Sequence, residues 1–125
     1  MNHISHLSFV GYDVITVYKF QECKTIPTNQ QFVQVLQSLV NPEKPTIING
    51  DFNFDYWKDE KHLVRGSLEN MGFTQVVREP TTVRGNCIDH VYVNRRTDQD
   101  YCKLYYPYYA DHEAVRVILH NSAYH

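Results

Sequence analysis

No stretch of this sequence approaches the ~20 consecutive apolar residues that a membrane-spanning helix needs. The opening Met1-Asn2-His3 lacks the basic start and apolar stretch of a secretory signal. The expectation is therefore a soluble intracellular protein, nuclear or cytoplasmic, with no membrane partner. Cysteine is scarce: Cys23, Cys87 and Cys102 share no Cys-x2-Cys spacing. An odd, scattered set argues against a disulfide framework and a structural zinc, and reads as reduced thiols. His3 and His6 have His-x2-His spacing, but no cysteine pair follows them, so they read as surface histidines. Positive charge is not in excess either. The net charge of −2 excludes a global basic footprint for nucleic acid, although Arg78, Arg84, Arg95, Arg96 and Lys103 leave room for a local patch. Repeats, low-complexity tracts and linkers are absent.

What is present is enough for one folded unit. A chain of 125 residues builds one core and not two, and 42% hydrophobic with 14% aromatic residues excludes disorder. The run Tyr12 to Tyr18 is apolar or β-branched, the pattern of a strand covered on both faces. A helix is expected over Thr28 to Asn41, with Thr28 and Gln31 as a capping box and Phe32, Val35, Leu36, Leu39 and Val40 as its apolar stripe. Pro42 and Pro45 end it, and Thr46 to Asn49 reads as a buried strand. A second helix is expected over Asp59 to Asn70, closed by Gly72. Shorter strands follow at Phe73 to Val77, Ile88 to Asn94 and Ala114 to Leu119, with a turn from Pro80 to Asn86. Helices and strands in this order predict an α+β layered fold, a mixed β-sheet flanked by helices.

The tetrapeptide Gly50-Asp51-Phe52-Asn53 directly follows the buried strand. Alternate residues of an extended chain share a face, so Asp51 and Asn53 are expected to converge while Phe52 turns inward. A carboxylate that can take a proton, beside a carboxamide that can steady an anion, suits phosphoester hydrolysis. Asp and Asn are equally at home in ordinary turns, so these two residues alone do not decide it. Asp89 lies in an apolar strand, where an unpaired carboxylate is costly, and a histidine nitrogen is a natural partner. His90 is expected on the exposed side of that strand. Asp111 and His112 precede the last strand. Tyr18 closes the first strand, where it is either a phosphate contact or a plain strand aromatic. Tyr101, Tyr105, Tyr106, Tyr108 and Tyr109, together with Trp57, either stack on bases or pack.

Read together, the GDFN segment, the IDHVYVN segment and a single Asp-His before a final strand resemble the endonuclease/exonuclease/phosphatase superfamily. That superfamily includes deoxyribonuclease I, exonuclease III-type abasic-site endonucleases and inositol polyphosphate 5-phosphatases. The Leu68 to Thr81 stretch and the short step from Asp51 to Asp89 look most like the endonuclease domains of transposable elements. The resemblance implies metal-dependent phosphodiester hydrolysis, with DNA favoured over RNA as the partner. It implies that Asp51 orients and deprotonates water, Asn53 and Tyr18 hold the phosphate, and Asp89 pairs with His112. Asp111 would ligate a divalent ion, Mg²⁺ or in its place Mn²⁺. Lys19 stands where transposon relatives often carry arginine.

Family domains are about twice this length and pack two sheets face to face between helices, a four-layer α/β/β/α sandwich. Their N-terminal half supplies an asparagine and a glutamate that have no counterpart between Met1 and Tyr12. Residues 1–125 are thus expected to form a single partial domain, the C-terminal half of the family fold, lacking the principal metal ligand. Such a half is expected to expose an apolar sheet face, and so to self-associate or depend on a separate N-terminal half. Two further readings stay open: a phosphatase or phosphodiesterase acting on a small or lipid phosphoester, and a non-catalytic remnant or binding module.

Overall fold

The computed structural model describes residues 2–19 and 25–94. Among these residues five strands form one sheet: β1 (His3–Phe9), β2 (Tyr12–Tyr18), β3 (Thr46–Asp51), β4 (Thr74–Gln75) and β5 (Asp89–Val93), in the spatial order β1-β2-β3-β5-β4. Only β2 and β3 run parallel, joined by helix α1 (Ile26–Leu39), and every other neighbouring pair is antiparallel. Helix α2 (Leu63–Asn70) lies between β3 and β4 in the chain. The mixed sheet with its helices is the layered α/β arrangement expected.

Several expected boundaries shift for local reasons. Helix α1 starts earlier because Thr25, and not Thr28, is its cap: the Thr25 hydroxyl accepts from the Thr28 N–H at 3.3 Å, and Pro27 occupies the first turn. Val35 lies outside the buried stripe, which is Phe32, Val33 and Leu36. Helix α2 is shorter than expected because His62 caps it, its Nδ1 accepting from the Val64 N–H at 3.2 Å. The missed element is β1. Phe9 pairs with Tyr12 across a two-residue turn at Val10-Gly11, where the positive φ of 92° falls on the glycine. The strand expected at 114–119 lies outside the described residues.

The two sheet faces differ. Ile15, Val17, Ile48 and Tyr92 turn toward the helices and pack with Phe32, Leu36, Val64, Leu68, Phe52 and Phe73. On the opposite face Ile47, Val91 and Val93 pack with Val77 and Cys87. Each such side chain, fully buried, contributes about 1.5–3 kcal/mol. Val14, Ile47, Val91 and Val93, which line this second face, are all buried, so the exposed apolar sheet face expected from the sequence is not found at these positions. No helix among the described residues is long and apolar enough to cross a membrane.

Candidate active site

Strand pairing assembles the site. Tyr18 stands opposite Asp51 in the parallel β2–β3 pair, and Asp51 stands opposite Asp89 in the antiparallel β3–β5 pair. Three chemically capable residues thus lie abreast on three adjacent strands at one rim of the sheet. By the two-residue period all three point to the face away from the helices. The Phe52 N–H donates to Ile88 O at 2.9 Å, which makes Asp51 and Asp89 a non-hydrogen-bonded pair, the arrangement that brings facing side chains closer. Behind this row stand Thr16, Asn49 and Val91, then Val14, Ile47 and Val93, so the face grades from acidic rim to apolar interior.

Gly50 makes the rim possible. Its φ is 134°, and a Cβ built on it would sit 1.9 Å from Val17 O, inside the neighbouring strand's backbone. Only glycine lets β2 and β3 stay this close where β3 hands over to the Asp51 turn.

Asp51 and Asn53 meet through the Asn53 backbone and not by strand alternation. Phe52 turns inward and is fully buried, as expected, but β3 ends at Asp51 and Asn53 adopts a left-handed φ of 56°. Asparagine tolerates that conformation better than other side chains do. The Asn53 N–H donates to Asp51 Oδ1 at 2.9 Å, and its Nδ2 donates to Lys19 O at 2.7 Å. One amide hydrogen and the carbonyl oxygen of Asn53 remain beyond these two bonds. Lys19 N–H in turn donates to Asp51 O at 2.8 Å. Burial pushes the Asp51 carboxyl above the ordinary carboxylate range, only partly offset by the Asn53 N–H. A half-buried carboxylate held in this way is a better base than a free one.

Asp89 is half-buried at the first position of β5, not inside it, and its N–H donates to Thr81 Oγ1 at 3.2 Å. Tyr18 is 46% exposed. Trp57 is exposed beyond the turn, its N–H donating to Asp55 Oδ1 at 3.1 Å. Asp111, His112 and the tyrosines at 101–109 lie outside the described residues. Among the described residues no group of three or more His, Cys, Asp or Glu side chains is disposed to hold a metal ion. The two rim carboxylates fall short of a cation site by themselves.

One expectation is overturned. His90 does face away from Asp89, but that side carries the helices, so it is fully buried and not exposed. Sequence reasoning also left Gly50 without a role of its own. Its signal was a glycine placed where a strand gives way to Asp51.

Among curated proteins no significant match is found. Similar solved structures include two that follow. The endonuclease domain of TRAS1, a telomere-specific non-LTR retrotransposon, is 17% identical with a TM-score of 0.50, the match covering 73% of this chain and 47% of that one. An endonuclease/exonuclease/phosphatase family protein from Leptotrichia buccalis C-1013-b is 14% identical with a TM-score of 0.44, over 72% of this chain and 40% of that one. The chain therefore spans less than half the length of either structure. At such identity these likenesses speak to fold alone. Residues 12–112 match the Endonuclease/Exonuclease/phosphatase family, a span that takes in β2, the Gly50-Asp51 turn and Asp89, and the chain belongs to that family.

Proposed function

We propose that this chain carries the water-activating part of a metal-dependent phosphodiester hydrolase acting on DNA, of mobile-element origin. The observation that carries this reading is the alignment of Tyr18, Asp51 and Asp89 across three strands at one rim, on one face. Asp51, with its raised carboxyl pKa, accepts a proton from the attacking water. Asn53 and Tyr18 offer an amide N–H and a hydroxyl to the phosphate oxygens. Asp89 orients His112, whose cationic form favours the charge gathering on phosphate. The displacement is a single in-line step with no covalent enzyme intermediate. A divalent ion, Mg²⁺ or in its place Mn²⁺, with Asp111 among its ligands, supplies positive charge to the transition state when bound.

Residues 1–125, which cover 47% of the retrotransposon endonuclease domain, are read as part of a longer domain, its C-terminal half. The second reading is a non-catalytic remnant or binding module of the same family. Nicking of supercoiled plasmid by the folded chain, with Mg²⁺, with EDTA and with Asp51→Ala, decides between them. Metal-dependent nicking that disappears in Asp51→Ala is the expected result. A folded protein that never nicks gives the remnant reading the lead.

A further inference from the structure

The fully buried His90 ring lies flat against Phe52, with centroids 4.9 Å apart and planes at 7°, and meets Phe54 edge-on at 4.8 Å and 86°. These two phenylalanines flank Asn53. His90 Nε2 faces Cys87 O at 2.8 Å and Phe54 O at 3.0 Å, while Nδ1 faces the Tyr92 hydroxyl at 2.9 Å. Carbonyl oxygens only accept, so Nε2 carries the hydrogen and the bare Nδ1 accepts from Tyr92. One ring thereby joins the residue after Asn53 to the residue two before Asp89. Its bond to Phe54 O and the Tyr56 N–H bond to Cys87 O, 2.9 Å long, fasten the same two segments.

We propose that His90 is a positioning residue: as a neutral, Nε2-protonated imidazole it clamps the Asp51–Asn53 turn onto the strand that begins with Asp89. The proposal rests on reading the rim as the reacting site, and it assigns His90 no contact with substrate. Burial favours the neutral ring, and the ionisable neighbours whose fields reach it are His62 and Asp55. A purely space-filling residue needs no donor here. The two carbonyl contacts are what distinguish a clamp from a filler.

The test is nuclear magnetic resonance on the full chain at neutral pH, following the ring nitrogens of His90 and the amide exchange of Asn53 against that of Ile48. The wild type is expected to show a neutral ring protonated at Nε2. His90→Phe keeps the aromatic stack and removes the donor. It is expected to speed Asn53 exchange relative to Ile48 by about tenfold, the scale of one lost hydrogen bond. His90→Gln, whose side-chain N–H can reach a carbonyl, is expected to restore most of that protection. An unchanged Asn53-to-Ile48 ratio in folded His90→Phe overturns the proposal, as does a wild-type ring protonated at Nδ1. Should His90→Phe fail to fold, Tyr92→Phe removes the hydroxyl at Nδ1 and leaves both carbonyls at Nε2. The ring is then expected to stay protonated at Nε2 with the Asn53-to-Ile48 ratio unchanged, and loss of the Nε2 proton in folded Tyr92→Phe overturns the clamp. None of these readouts requires turnover, so a wild type that fails to nick DNA counts against the functional reading and leaves this one standing.

Discussion

Asp13 and Asp51 sit on adjacent parallel strands at opposite ends of one sheet, and the chain treats them in opposite ways. Asp13 is only 3% exposed, yet Lys44 Nζ and Ser8 Oγ each reach it at 2.8 Å and His6 Nε2 stands 3.6 Å away. Burial pushes its carboxyl up, but the hydrogen bonds from Lys44 and Ser8 and the nearby positive charge outweigh it, leaving the pKa below the ordinary value. At Asp51 burial dominates, because the Asn53 N–H is its counterweight, and its pKa rises. The first acid is satisfied and pins the β1 hairpin to the sheet. The second is held under-satisfied at a strand end, where proton transfer is useful.

The largest expected effect breaks the rim without touching an acid. Gly50→Ala drives a methyl group into Val17 backbone at a left-handed φ, so either β2 and β3 separate or Asp51 swings away. A loss of roughly 3 kcal/mol or more is expected in urea unfolding. The corresponding Gly11→Ala, where nothing lies within 4 Å of the new Cβ, meets only backbone strain and costs about 1 kcal/mol. Equal losses at the two glycines would mean that close approach at the rim is not what selects Gly50.

Acid exposes the next difference. Burial holds His90 down to about 4, against an ordinary value of 6.5, so the unfolded chain takes up a proton that the folded chain refuses. Its contribution is intact above pH 6.5 and drains away as pH falls toward 4, a loss of about 3 kcal/mol. Asp13, whose pKa is depressed, adds a further loss only when the pH falls below the ordinary carboxylate range. Asp51 works in the other direction, because its raised pKa favours the folded state once protonated. Stability measured from pH 7 to 4 should therefore fall, and in His90→Phe it should fall far less. A flat profile in the wild type would remove the case for a buried neutral ring.

The two acids themselves give the direct comparison. Asp13→Asn at pH 7 leaves Lys44 without its carboxylate and is expected to cost about 1–3 kcal/mol. Asp51→Asn removes a charge that burial disfavours and is expected to change stability by less than about 1 kcal/mol, toward greater stability. A larger loss at Asp51 than at Asp13 in thermal melts would collapse the distinction between a structural acid and a poised one.

The layered class, both helices and the strands over 12–18, 46–49 and 88–94 were legible because apolar periodicity in these segments is strong and their ends carry proline, glycine or cap residues. The rim positions of Tyr18 and Asp51 were legible for the same reason, since each closes or follows such a segment, whereas Asp89 was read inside the strand that it begins. Strand β1 was not, because its burial is one-sided and weak: of His3–Phe9 only Ile4 is even partly buried. Alternation fixed that His90 and Asp89 face opposite ways, but it could not tell which face the helices would cover. Strand alternation was the wrong ground for Asn53, since a left-handed turn sets its backbone N–H on the Asp51 carboxylate and its side chain on Lys19 O. Tertiary partners decide each of these, and a local pattern carries no record of them.

Tyr18 offers the smallest and finest test. The residue is 46% exposed at the end of β2, so Tyr18→Phe is expected to leave the melt within about 0.5 kcal/mol of wild type. Loss of one hydroxyl-to-phosphate hydrogen bond should nonetheless slow nicking about three- to tenfold. That split between an unchanged melt and a reduced rate separates it from Gly50, where both fall together, and from Asp13, where the melt falls first. An unchanged rate would make Tyr18 an ordinary strand-end aromatic and confine the reacting rim to Asp51, Asn53 and Asp89.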